Sequence, residues 1–248
     1  MARKIIVVTA AYGRDRVMAL GGQRGVLSII AAAGADGVEI RRELFAPQEI
    51  DTLPQLAADI AQHNLMACYS APEGLFETDG SLNPNLRALL LETQVLNAAW
   101  LKLSLGHFTQ PAALETLRAI LADSPVALVI ENDQTDCGKL APMQRFQAAV
   151  RVHALPIRLT FDMGNWLWLG DSPEQAAQLL APSVGYVHVK AAEPHHDSWR
   201  AITPDDNLRW AALLNALPDD VPRGIEFPLE GDDLVAVTRR YVRWLREE

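Results

Sequence analysis

Four side chains able to bind a metal or move a proton stand where apolar runs end. Glu131 follows the run 126–130, Asp162 follows 157–161, His188 lies within 184–190, and Glu226 closes 223–225. Three carboxylates and one imidazole supply hard oxygen donors and a single nitrogen, a set that suits Mn²⁺ or Mg²⁺ and tolerates Co²⁺ or Zn²⁺. Crowded together without a cation, the three acids would repel and raise one another's pKa. The plainer alternative is that each acid pairs with Lys102, Lys190 or Arg158, or caps the helix that follows it.

Further candidates surround these four. Lys190 points to the same side of its strand as His188, two residues before it, and is placed to neutralise a ligand or a carboxylate. Lys102 ends the fourth apolar run, and His107 follows it after Gly106; both are candidate substrate contacts. Trp166, with Trp168, follows Asp162 and either walls a ligand pocket or packs against the lip. Glu39 and Arg41 share one strand face, as a substrate contact or as an internal ion pair. His195-His196 beside Asp197 lacks the spacing of a second metal site. The 20–25 stretch, Leu-Gly-Gly-Gln-Arg-Gly, lacks the Lys and Ser/Thr of a phosphate loop, and no GxSxG elbow occurs. Cys137 has no obvious histidine partner for a thiol nucleophile.

The elements that must position these residues are legible in the hydropathy. Eight short apolar runs, at 4–9, 37–41, 65–69, 100–104, 126–131, 157–162, 184–190 and 223–227, do not alternate with polar residues, as expected of strands buried on both faces. Helical spacing fills 51–62, 83–97, 111–122, 142–153 and 233–246; in 111–122, Leu114, Leu117, Ile120 and Leu121 form one stripe. Asp171-Ser172-Pro173-Glu174, Asn83-Pro84 and Gln110-Pro111 punctuate helix starts. The run starts lie on average about 31 residues apart with no repeating consensus, which argues for βα units rather than a solenoid. Eight such units in 248 residues, with no Gly/Ser-rich linker, predict an α/β protein: a (β/α)₈ TIM barrel forming one domain over 1–248. In that fold the C-terminal strand ends share one mouth, so Glu131, Asp162, His188 and Glu226 are expected to converge there.

Composition narrows the function classes. A net charge of −9 disfavours a phosphate-backbone partner. Two distant cysteines make no disulfide framework. The N-terminal run is too short for a signal peptide, and none reaches the roughly 20 apolar residues of a membrane span. The expectation is a cytoplasmic protein acting on a small molecule, with no nucleic acid or membrane partner and assembly into a homo-oligomer left open.

Five motifs, Gly37-Val-Glu-Ile-Arg41, Ile130-Glu-Asn132, Phe161-Asp-Met-Gly-Asn165, Val187-His-Val-Lys190 and Ile225-Glu226, resemble the sugar phosphate isomerase/epimerase family, the xylose-isomerase-like TIM barrels. The likeness runs over essentially the whole chain. The stretches 42–45, 131–135 and 227–234 resemble more closely the epimerases assigned to bacterial 2-ketogluconate utilisation. The resemblance implies that Glu131, Asp162, His188 and Glu226 hold a divalent ion and that Glu131 and Glu226 are the catalytic acid/base pair. It implies a small sugar, keto-sugar acid or sugar phosphate as substrate, converted through an enediolate by proton abstraction next to a carbonyl. Lys190 and Asn165 would hold substrate oxygens. The family's ketose 3-epimerases carry His where Asn165 stands, and Arg where Pro194 stands; Arg200 would replace that Arg only if its loop bends back. The six histidines include no set matching the trinuclear zinc site of endonuclease IV. A lyase or dehydratase on the same scaffold, or a non-catalytic metal- or sugar-binding accessory protein, is the alternative.

Overall fold

Eight parallel strands close on themselves. The structure, a computed structural model, describes residues 3–109, 111–204 and 208–247. The strands are β1 (Ile5–Val8), β2 (Gly37–Arg41), β3 (Met66–Phe76), β4 (Ala98–Gly106), β5 (Ala127–Glu131), β6 (Ile157–Asp162), β7 (Val184–Val189) and β10 (Arg223–Ile225). An antiparallel hairpin, β8 (Ala191–His195) with β9 (Ser198–Ile202), stands outside the barrel. The barrel order is β1-β10-β7-β6-β5-β4-β3-β2. This is the TIM barrel expected from the sequence.

The helices follow the predicted spacing and pack on the outside. Helix Ala113–Ala122 buries Leu114, Leu117, Ile120 and Leu121, each worth on the order of 2 kcal/mol in removed apolar surface. Ahead of helix Pro173–Leu180, the Ser172 hydroxyl accepts from the Gln175 amide at 3.2 Å, and Pro173 needs no donor at the first position. Asn83 accepts from the Asn85 amide at 2.8 Å, and the helix then starts at Leu86. Gln110 lies outside the described residues.

Inside the barrel, the lower layer is small and separate. Ile6, Cys68 and Tyr186 pack with Met66 and Trp100, and the Trp100 and Tyr186 ring centroids lie 5.0 Å apart. Tyr186 forms the floor under His188, edge to face at 4.8 Å. Gly224 makes room for it, because a Cβ there would collide with the Tyr186 hydroxyl.

Two departures from the sequence reading shape the mouth. β3 and β4 run beyond the predicted 65–69 and 100–104 as a paired ribbon, Gly74 opposite Ser104 and Phe76 opposite Gly106. Its register shifts between Ser70 and Gly74, where Pro72 cannot donate to a ladder. The stretch from Ala191 to Ile202, expected as a loop around His195-His196, is the hairpin β8–β9; the two histidine rings meet at its turn, tilted by 59° with centroids 4.2 Å apart. Among the described residues, no helix is long and apolar enough to cross a membrane.

Candidate metal centre and active site

β5, β6, β7 and β10 are neighbours in the barrel, so their C-terminal ends face one point. Glu131 and Asp162 end β5 and β6, His188 is level with Asp162, and Glu226 follows β10, its amide held by the Val189 carbonyl at 3.1 Å. One donor atom from each of the four lies within 4.8 Å of the others. His188 Nδ1 is 2.7 Å from Glu131 Oε1 and 3.1 Å from Glu226 Oε2.

Three of those atoms, Glu131 Oε1, Asp162 Oδ2 and His188 Nδ1, are buried and held by charged neighbours at 2.6–2.7 Å, Lys190 at Asp162 and His188 at Glu131, without a well-aligned hydrogen bond. Buried polar atoms with poor hydrogen-bond geometry are costly and rare. Three that converge on one point, in a hard-oxygen and imidazole set, fit a divalent cation. The four residues therefore form a cluster able to hold a metal ion.

The surrounding hydrogen bonds free these atoms. Asp162 Oδ1 accepts from the amides of Gly164 and Asn165, both at 2.9 Å, leaving Oδ2 for the centre. Asn132 grips the Asp162 backbone twice, Nδ2 to its carbonyl at 3.0 Å and Oδ1 from its amide at 2.9 Å. Asn165, read as a substrate contact, is buried and donates to the Asn132 carbonyl at 2.9 Å while accepting from Gln134 at 3.0 Å. The clamp by Asn132 and Gln134 left no signal in the sequence beyond their closeness to Glu131.

Glu39 departs furthest from its expected role. It is fully buried, and its Oε2 lies 2.8 Å from His188 Nε2. An acceptor there holds a proton on Nε2 and turns Nδ1 toward Glu131 and Glu226, where it donates when protonated and would offer its lone pair to an ion. The residue thus serves His188, and its bond to Arg41 is long, at 3.5 Å. Glu39→Gln is expected to weaken metal binding about 10-fold or more with little change in melting temperature, since carboxylates behind a ligating histidine carry 10–100-fold in affinity. Calorimetric metal titration checks this; unchanged affinity would contradict it.

Cations complete the cluster. Lys102 pairs with Glu131. Lys190 Nζ is 2.6 Å from Asp162 Oδ2 and 3.0 Å from Glu226 Oε2, and Arg41 is 2.8 Å from Glu226 Oε1. The ion-pair alternative therefore describes Lys102 and Lys190, while Arg158 instead donates to the Val184 carbonyl at 2.6 Å. Glu39, Glu131, Asp162 and Glu226 face Lys102, Lys190 and Arg41, and Arg41 is shared with a fifth carboxylate, Glu43 at 2.7 Å, so positive charge is lacking. A proton on His188 supplies it: burial would lower the His188 pKa, but Glu226, Glu39 and Glu131 raise it well above 6.5. Burial raises Glu131, yet Lys102 and His188 bring it down to about 2. Glu226 is likewise held well below 4.5 by His188 and Lys190 against its burial. Burial, with Lys190 opposing and Glu226 reinforcing, pushes Asp162 up to about 7.

These directions fix how metal binding responds to pH. The incoming ion must displace the His188 proton, and below pH about 7 an Asp162 proton as well. Affinity is expected to rise with pH about tenfold per unit per proton displaced, and more steeply below pH 7 than above. Metal titrations at stepped pH test this; a flat profile would contradict it.

The remaining candidates lie further out. Trp166 is fully buried in the core against Phe161, ring centroids 5.4 Å apart, because its short helix turns the side chain inward. His107 is exposed on the rim beyond β4 and lines a cleft there. Arg200 sits on β9, bound to Glu193 across the hairpin at 2.6 Å. The loop does not bend it back: its partner is the hairpin's own carboxylate, and it lines a cavity with Arg240 and Tyr241.

No family model and no curated protein matches the chain. Solved structures do. A xylose isomerase domain containing protein from Salmonella typhimurium LT2 superposes with a TM-score of 0.72 at 12% identity, over 97% of this chain and 95% of that one. D-allulose 3-epimerase from Methylomonas sp., in complex with D-allulose, gives 0.69 at 16%, over 99% and 97%. The 3-keto-D-glucoside 4-epimerase of E. coli, in its apo form, gives 0.66 at 17%, over 99% and 100%. The chain thus has the fold of the xylose-isomerase-like TIM barrels, a scaffold shared by sugar epimerases.

Proposed function

We propose that this protein is a divalent-metal-dependent isomerase or epimerase acting on a small sugar or keto-acid by proton transfer next to a carbonyl. One observation carries the reading: four strand ends deliver three carboxylates and an imidazole to one point, with one donor atom of each within 4.8 Å of the others. Glu131, Asp162, His188 and Glu226 would hold the ion. When bound, such an ion acts as a Lewis acid that polarises a carbonyl and stabilises developing negative charge on its oxygen.

Proton movement belongs to Glu131 and Glu226. One takes the proton from the carbon beside the carbonyl, and the electron pair passes into the enediolate. The other returns a proton to the opposite face or to the adjacent carbon. Both are ionised in the ion-free cluster, Glu131 by Lys102 and His188 and Glu226 by His188, Lys190 and Arg41. Either can therefore accept the proton, and the one that returns a proton takes it from solvent first. Lys102 and Lys190 stand close enough to orient substrate oxygens, and burial of the centre keeps water from competing. The D-allulose complex of a structural neighbour supports a small-sugar substrate. The net charge of −9 supports the absence of a nucleic-acid partner, and a cytoplasmic location remains part of this reading.

Product analysis tests the proposal. Metal-loaded protein incubated with a panel of ketoses and keto-acids is expected to give a sugar of unchanged formula with one centre inverted or the carbonyl moved. Loss of water from the substrate would mark a dehydratase. A ligand bound without any conversion would mark an accessory protein.

A further inference from the structure

Glu226 is held differently from the other acids of the centre. Glu131 and Asp162 end their strands, whereas Glu226 stands one residue past β10. Asp162 gives its outward oxygen to two backbone amides, at 2.9 Å each. The Glu226 carboxylate is fixed by side chains instead. Its Oε2 faces the centre, 3.1 Å from His188 Nδ1 and 3.0 Å from Lys190 Nζ, and its Oε1 turns to Arg41 Nη1 at 2.8 Å.

Arg41 reaches Glu226 across the end of β1, which lies between β2 and β10 in the barrel. β1 stops early: its last partner on β2 is Glu39, opposite Val8. On its other edge β2 goes on pairing with β3 through Ile40 and Arg41. The side-chain amide of Gln23 takes the place of the missing strand. It accepts from the Arg41 amide at 2.7 Å and donates to the Arg41 carbonyl at 2.9 Å. Gln23 is buried, and the buried Thr9 hydroxyl, just past β1, donates to its Oε1 at 2.7 Å. Arg41 is thus gripped at both backbone groups, as Asn132 grips Asp162. Completing a ladder would explain Gln23, since buried backbone groups need partners. It does not explain the guanidinium, whose Nε is held by Glu43 at 2.7 Å while Nη1 meets Glu226. Two points of attachment fix the plane of a rigid fork.

Resting on the proposed function, we infer that Arg41, anchored by Gln23 and Thr9, is the positioning residue of the proton-moving carboxylate Glu226. It holds Oε1 back from the centre, so that an ion meets Oε2 alone and Oε1 keeps one orientation for proton transfer.

The test measures Mn²⁺ affinity by calorimetry without substrate. It also measures kcat and KM at saturating Mn²⁺ on a ketose or keto-acid that wild-type protein converts, with melting temperature showing that each variant is folded. Arg41→Met is expected to lower kcat by about 10- to 10²-fold with KM changed about threefold or less, the scale of a misplaced reacting group. Its Mn²⁺ affinity should stay equal or rise, because a cation beside the ligating acids has gone. The two readings thus move apart, whereas a residue that merely kept the centre folded would lose both. Arg41→Lys, which keeps the charge without the fork, should recover part of kcat. Gln23→Leu, which leaves every group at the centre in place, is expected to lower kcat by about threefold to tenfold with Mn²⁺ affinity kept. Wild-type kcat in Arg41→Met, or a loss of Mn²⁺ affinity matching the loss of kcat, overturns the inference and leaves the proton-transfer reading standing. Wild-type kcat in folded Gln23→Leu overturns the anchoring. If wild-type protein converts no ketose or keto-acid with any metal, the proposed function fails and this inference falls with it.

Discussion

Replacing Glu226 by Gln is expected to weaken metal binding and, at saturating metal, still to lower turnover by about 10² or more, the usual worth of a positioned general base. Glutamine keeps one ligating oxygen and nearly the same volume, so one of Arg41, now 2.8 Å from Oε1, and Lys190, now 3.0 Å from Oε2, retains an acceptor at that position. What disappears is the ionised carboxylate that His188 and Lys190 hold well below its ordinary pKa. An amide cannot accept the substrate proton. The loss should therefore persist at saturating metal and appear in kcat. Steady-state rates with metal content measured in the same samples decide it; intact turnover would show that the two-carboxylate mechanism is wrong.

Asp162→Asn is expected to act through the other route. The amide retains an oxygen able to accept from the Gly164 and Asn165 amides, as Oδ1 does now at 2.9 Å from each. The negative charge facing Lys190 at 2.6 Å is gone. Metal affinity should fall by about 10² or more, because a hard divalent ion loses one of its anionic ligands. Activity should return in part when excess ion is added. The contrast is diagnostic: rescue by metal at position 162 and none at position 226. Rescue at both, or at neither, would mean that the two acids do not divide the work between holding the ion and moving the proton.

Much of this geometry is legible in the sequence for a simple reason. Strands buried on both faces form unbroken apolar runs, so the polar residue closing each run marks the barrel mouth. Glu131 and Asp162 close their apolar runs in this way, and both end their strands. Contacts distant in the chain left no local pattern. Glu39 meets His188 from 149 residues away, three steps round the barrel, and nothing near Glu39 distinguishes a residue that holds a histidine from one that touches substrate. Trp166 follows Asp162 as a lip residue would, and only the turn of its short helix sends it into the core. The hairpin β8–β9 was hidden because Ala191 to His195 carries Pro194 and lacks strand alternation; pairing with β9 fixes it, not propensity.

On the proposed function, the four-residue centre loaded with a divalent ion moves a proton on a carbon beside a carbonyl. Incubation in deuterium oxide tests this most directly, with proton NMR following loss of the signal next to the carbonyl across a panel of free ketoses and keto-acids. Wild-type protein with saturating Mn²⁺, Mg²⁺, Co²⁺ or Zn²⁺ is expected to exchange that proton in at least one substrate. Chelation should abolish the exchange, and Glu226→Gln should slow it by about 10² or more. If metal binds at the centre and no substrate in the panel exchanges the proton faster than buffer containing the same ion, the protein binds metal without this chemistry, and the account is contradicted.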